Sequence, residues 1–129
     1  MNIKENHSEA DCKRSKCPVS CILEILGDKW TLLVVRDIFL GKHTFKDLQS
    51  SAEKIPSNIL TDRLKRLEQN EVVHRELYQA HPKRYRYYLT QKGRDLKPVM
   101  ESLIVWSNKY MPETYKLEDI RKMLTDAQN

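Results

Sequence analysis

The chain of 129 residues carries 23 lysines and arginines against 18 aspartates and glutamates, a formal charge of +5, and 40% of its residues are hydrophobic. That is enough chain for one domain with its own core and too much apolar content for a disordered polymer, and three glycines and five prolines exclude a collagenous or Gly/Pro-rich one. The entire charge excess lies in residues 57–97, which hold ten basic and five acidic side chains, a distribution suited to a polyanion such as nucleic acid, to an acidic membrane surface or to an acidic partner protein.

In chain order, residues 1–16 read as a flexible polar tail. Met1–Glu9 holds no apolar signal core, and no apolar run approaches the about 20 residues of a membrane span, so a cytoplasmic protein with no membrane role is expected. Val19, Ile22, Leu23 and Leu26 recur at helical spacing between Pro18, which can start a helix, and Gly27, which can stop it. Asp28 can cap a second helix from Lys29 to about Leu40, with Trp30, Leu33, Val34 and Ile38 on its inner stripe, Leu32 and Val35 widening it into a buried helix, and Gly41 at its end. Thr44 and Asp47 resemble a capping box for a short third helix, with Phe45 and Leu48 facing inward. Pro56-Ser57 then opens a fourth helix to about Asn70, buried through Leu60, Leu64 and Leu67 and polar on the opposite face.

The period next changes to two. Val73 and Leu77, then Tyr85, Tyr87 and Leu89, alternate with polar or charged neighbours, which predicts a β-hairpin. Without an Asn-Gly pair, a four- or five-residue loop over Gln79–Lys83 is expected. Thr90 can cap one long helix from Gln91 to about Tyr110, although Pro98 can shift its start or kink it. Leu117, Ile120 and Leu124 mark a last amphipathic helix within a separate C-terminal segment, 112–129.

This order, mainly α with a small β-hairpin, is that of a winged helix-turn-helix over residues 17–111. Residues 44–53 support, Ser57–Gln69 reads, and residues 79–86 form the wing. A helix about 10–12 Å across fits the major groove of DNA, about 12 Å wide. On the reading helix Ser57, Asn58 and Thr61 suit base edges, Asp62 suits a cytosine amine, and Arg63, Lys65 and Arg66 suit phosphates. On the wing Lys83, Arg84 and Arg86 suit phosphates or a narrow minor groove. The helix around Leu96–Tyr110 is apolar on more than one side, which calls either for a partner helix or for cover by the C-terminal helix.

Cys17-Pro18-Val19, Leu26-Gly27-Asp28-Lys29-Trp30-Thr31-Leu32-Leu33, Phe45-Lys46-Asp47-Leu48, Ile55-Pro56-Ser57-Asn58-Ile59-Leu60-Thr61-Asp62-Arg63-Leu64 and Tyr87-Tyr88-Leu89-Thr90-Gln91-Lys92-Gly93 together resemble the HxlR family of bacterial winged-helix transcriptional regulators. The resemblance spans about Cys17–Trp106. It implies a homodimer, paired through the first helix and the C-terminal helices, that sets two reading helices on successive turns of a palindromic operator. Val19, Ile22, Leu23, Leu103, Trp106 and Tyr110 are the interface residues this assigns. The family's Pro-Pro-Arg wing is His81-Pro82-Lys83-Arg84 here, with the arginine kept.

Cys12, Cys17 and Cys21 are an odd, clustered set, unlike a secreted disulfide framework. Cys17 stands at a helix N-terminus with Lys13, Arg14 and Lys16 nearby, an arrangement that stabilises a thiolate. The family resemblance adds that a cysteine here senses oxidants or electrophiles in several members, and an inert thiol is the competing reading. Cys17 and Cys21, four apart on a helix, have Cβ atoms about 5–6 Å apart, too far for a disulfide unless the turn unwinds. Cys12 can reach Cys17 or its equivalent in a second subunit. A metal held by the three cysteines and His7 has none of the usual zinc spacings, and no cofactor motif is present. Phosphate loops and nucleophile elbows are absent and the histidines are scattered, which argues against an enzyme. A winged-helix module that binds protein or RNA is the alternative to a DNA-binding regulator.

Overall fold

A computed structural model describes residues 15–128. In chain order they form α1 (Pro18–Leu26), α2 (Thr31–Phe39), α3 (Phe45–Gln49), α4 (Ser57–Gln69), β1 (Val73–Ala80), β2 (Lys83–Leu89), α5 (Gln91–Arg94), α6 (Lys97–Tyr110) and α7 (Leu117–Gln128). His7, Cys12 and nearly all of the expected tail lie outside the described residues.

The core is where α2, α3, α4 and the root of the hairpin converge. Val34, Val35 and Ile38 of α2 meet Leu48 of α3, Leu60, Leu64 and Leu67 of α4, and Val72, Val73 and Leu89 around the strands. All are nearly or fully buried. Helices α3 and α4 present the apolar stripes their periodicity predicts, and α4 keeps its opposite face in water. On α2 the buried side is instead Thr31, Val34, Val35 and Ile38, with Trp30 only partly buried and Leu33 at a surface groove.

Local signals explain most boundaries. Thr44 accepts the Asp47 amide at 3.1 Å and so caps α3. This helix has five residues, and the chain from Ser50 to Glu53 is turn rather than helix. Arg36 of α2 grips Glu53 with two hydrogen bonds of 2.7 and 2.8 Å, tying that turn to the core. This bidentate contact lowers the Glu53 pKa and raises that of Arg36. Gly41 turns the chain out of α2 at φ +91°, a left-handed conformation that costs glycine nothing.

Three sequence expectations change. The second helix starts at Thr31 rather than Lys29, because Asp28 spends its carboxylate on the Trp30 amide and the Thr31 hydroxyl. The hairpin loop has two residues rather than four or five. Gln79 pairs with Arg84 and Ala80 with Lys83, a bulge between Leu77 and Gln79 absorbs the extra residue, and the cis-linked His81–Pro82 pair makes the turn. Gln79 donates its side-chain amide to the Pro82 carbonyl at 3.1 Å, closing a turn that lacks the usual Asn-Gly. The expected long helix is two, α5 and α6, because Pro98 has no N–H for the carbonyl of Arg94 and is accommodated in the first turn of α6.

A third piece of backbone joins the hairpin. Thr44 bridges antiparallel to Arg86, the Tyr87 amide donates to the His43 carbonyl at 2.8 Å, and His43 Nδ1 lies 2.8 Å from the Tyr87 carbonyl. The wing is thereby fastened to the turn before α3.

Candidate nucleic-acid interface

The exposed side of α4 carries Ser57, Asn58, Thr61, Asp62, Lys65 and Gln69. With its inner leucines fixed in the core, the helix has no freedom to turn this face elsewhere. Thr61 gives its hydroxyl proton to the Ser57 carbonyl at 2.9 Å, which leaves its methyl group available for apolar contact. One groove runs between α4 and the wing past Thr61, Lys65, Glu68, Arg75 and Tyr85. A second runs between α3 and the wing past Lys46, Gln49, Lys83 and Arg84. The two share Phe45, Tyr85 and Tyr87, so they form adjacent parts of one surface.

Four cations on this surface stand out. Lys46, Lys65, Lys83 and Arg84 are exposed, and among the described residues none has a carboxylate partner. Lys46 was not legible as a site residue, since a lone lysine on a short helix carries no pattern. Its proximity to the wing in sequence-distant space is what brings it in. Arg75, by contrast, is occupied by Glu68 at 3.1 Å and by the Tyr85 ring at 4.1 Å.

Three predicted contact residues face elsewhere. Arg63, expected at the phosphates, is only 16% exposed and donates from Nε to Asp28 at 2.5 Å, with Asp62 as a second partner. Burial alone pushes the Asp28 carboxyl up, but the Thr31 hydroxyl, Arg63 and the Trp30 amide outweigh it and hold the pKa at about 2. The pair is therefore fully ionised at neutral pH. Arg66 donates to the Glu24 carbonyl at 3.2 Å. Arg86 alternates to the face of the hairpin turned away from α4, beside its cross-strand partner Glu76 and over the Tyr78 ring at 4.3 Å.

A second exposed surface is apolar. On α6, Leu103, Trp106 and Tyr110 are 50–60% exposed and form one stripe with Val99, while no residue of that helix is buried. On α1, Val19 and Leu23 are also more than half exposed and Ile22 is half-buried. The C-terminal helix covers a different side of α6, where Leu117, Ile120 and Leu124 surround Met100 and Ile104. The cover it offers is partial.

Cys17 is exposed at the N-terminus of α1, and its amide is held by Ser15 Oγ at 3.1 Å. Cys21 donates its thiol to the Ser15 carbonyl at 3.4 Å. The first turn between them is intact, with the Cys21 amide bonded to the Cys17 carbonyl at 3.0 Å, and the two thiols are not joined to each other. Among the described residues no group of His, Cys, Asp and Glu is placed to hold a metal ion.

A supported reading helix, a basic two-stranded hairpin beside it and a single bridge that fastens the wing root to the turn before α3 define the winged helix-turn-helix class of DNA-binding domain. Residues 25–115 match the HxlR-like helix-turn-helix family, and the chain belongs to it. It is 38% identical over 106 residues to the uncharacterized HTH-type transcriptional regulator YdeP of Bacillus subtilis, covering 82% of this chain and 83% of that one. Among solved structures, the reduced form of the transcriptional regulator YodB from B. subtilis superposes with a TM-score of 0.63 at 30% identity, over 77% of this chain and 98% of that one. The redox regulator HypR in its oxidized form does so with a TM-score of 0.61 at 34% identity, over 72% and 96%. The protein is thus a member of a family of transcriptional regulators, and no helix among its described residues is long and apolar enough to cross a membrane.

Proposed function

We propose that the protein is a sequence-specific regulator that binds a palindromic operator on double-stranded DNA as a homodimer. The observation that carries this is a set of four exposed cations with no carboxylate partner among the described residues, Lys65 on α4 beside Thr61 and Lys46, Lys83 and Arg84 in the adjoining groove between α3 and the wing. In this reading α4 enters the major groove. Asn58 pairs in bidentate fashion with a base, the Thr61 methyl touches a thymine, and Ser57 and Asp62 flank them. The cations hold the backbone on either side.

The exposed stripe of α6, with Val19, Ile22 and Leu23 of α1, is the surface that a second copy covers. Burying side chains of this size is worth about 1.5–3 kcal/mol each. Two copies joined by a twofold axis offer two α4 helices to two half-sites, which accounts for the palindrome.

The test compares the tightest duplex selected from a randomised pool with a scrambled one. Asn58→Ala is expected to lose about 1–3 kcal/mol on the selected duplex alone, the value of one bidentate base contact, whereas Arg84→Ala weakens both alike. Equal effects of both variants on both duplexes, or wild-type indifference to sequence, would overturn the assignment in favour of a protein- or RNA-binding module.

Cys17 is the thiol through which an oxidant or electrophile acts in this reading. Its support is its exposure at the start of α1, beside the apolar face assigned to the second copy, together with the likeness to a regulator named for redox control. Cys17→Ser is expected to abolish the response of DNA binding to a thiol oxidant, and a surviving response removes Cys17 from the role.

A further inference from the structure

The α1–α2 junction and α4 are joined at two points that no DNA contact uses. The first is Asp28. Its Oδ2 accepts from Arg63 Nε at 2.5 Å and from the Trp30 amide at 3.3 Å, and its Oδ1 accepts from the buried Thr31 hydroxyl at 2.5 Å. One carboxylate therefore ties the N-terminus of α2 to the middle of α4. The second is the last turn of α1, where the Glu24 carbonyl accepts from Arg66 Nη2 at 3.2 Å. Arg63 and Arg66, three residues apart, share one flank of α4, while Thr61, Lys65 and Glu68 take the flank beside the wing.

Gly27 lies between these two points. A Cβ on Gly27 would fall 2.2 Å from the Leu23 carbonyl oxygen, so the chain leaving α1 already lies in contact with the last turn of that helix. The Glu24 carbonyl and Asp28, four residues apart across this junction, thus each hold one of the two arginines on α4.

We propose that Arg63 and Arg66 are positioning residues for operator recognition, which set the roll of α4 against the α1–α2 junction and with it the placement of Asn58 and Thr61. This rests on the reading of α4 as the helix that enters the groove. Geometry explains why specificity would suffer before affinity. With side chains about 5 Å from the helix axis, a roll of about 10° carries the Asn58 amide about 1 Å, which exceeds the narrow distance range of a good hydrogen bond. The long flexible stem of Lys65 absorbs the same movement and stays on its phosphate.

Arg63→Gln, Arg66→Gln and Asp28→Asn are to be measured against the selected and the scrambled duplex, with thermal unfolding followed in parallel. Each is expected to cut the preference for the selected duplex by about tenfold, the value of one bidentate base contact, and to change binding to the scrambled duplex less than twofold. Asp28→Asn with Arg63→Gln is expected to be no worse than either alone, because both break the same pair. Equal losses on both duplexes would make the arginines phosphate contacts and overturn the proposal. Unchanged preference with a lowered Tm would reduce them to braces of the fold and overturn it as well. If the wild type itself ignores sequence, the regulator reading fails separately, and amide exchange in the free protein decides the coupling. Faster exchange along Leu60–Lys65 in Asp28→Asn, with the α2 core amides unchanged, supports it, and unchanged exchange there overturns it.

Discussion

Helices α4 and α6 are nearly the same length, 13 and 14 residues, and both are amphipathic, yet they stand in opposite situations. The first buries three leucines at 3% exposure or less and shows water a polar face. The second buries nothing fully and shows water an apolar stripe of Val99, Leu103, Trp106 and Tyr110. What each lacks therefore differs in kind. A polar face fixed on a rigid core suits a polar, charged surface such as a DNA groove, whereas an apolar stripe at the edge of the domain suits another apolar stripe. In the proposed reading the two surfaces take two different partners, DNA and a second copy of the chain.

Substitutions can break or sharpen that contrast. The largest effect belongs to the inner face of α4: Leu60→Ala is expected to cost about 2–5 kcal/mol of folding stability, read by urea unfolding. Leu103→Ala at low protein concentration is expected to stay within about 0.5 kcal/mol, as at an ordinary exposed site. Comparable losses at the two positions would mean that α6 is a core element and not an open seam. Next in size, Trp106→Glu places a charge in the apolar stripe and is expected to give monomers in sedimentation experiments at concentrations where the wild type is a dimer. A dimer that survives this change does not use α6. The smallest effect is electrostatic. Lys46→Ala is expected to lower the slope of log affinity against log salt by about 0.9, the share of one neutralised phosphate, and an unaltered slope would remove α3 from the interface.

Most of the element order was readable because each helix and strand obeys a local rule. Leucines at 60, 64 and 67 can face a core only on a helix, and the Tyr85, Tyr87, Leu89 alternation can do so only on a strand. Two of the three misread boundaries come from a residue spent on a tertiary or ladder task, and the third from Pro98, which divides α5 from α6. Asp28 delays α2 because it also serves Arg63, and the bulge at Tyr78 absorbs a residue that spacing alone assigns to the loop. The interface was legible in its polar residues and less so in its cations. Sequence gives Arg63, Arg66 and Arg86 the same basic character as Lys83 and Arg84, and only the positions of Asp28, Glu24 and Tyr78 separate those with internal partners from those without. Lys46 is the converse, a residue unremarkable in sequence that the packing of α3 sets beside the wing.

The fastening of the hairpin at His43 and Thr44 gives the wing the mechanics of a cantilever. Its root is clamped at Tyr87 by a backbone bond to the His43 carbonyl and by the His43 ring at the Tyr87 carbonyl, and its outer end is braced chiefly by the pairing of its own two strands. Such a beam bends at the tip long before it moves at the clamp. Lys83 and Arg84 can thus follow the local contour of a sugar-phosphate backbone, while the distance between the wing root and α4 stays constant. In the proposed reading, tolerance of DNA shape is concentrated in the last few residues of the beam, and discrimination between bases is left to the rigid part of the domain.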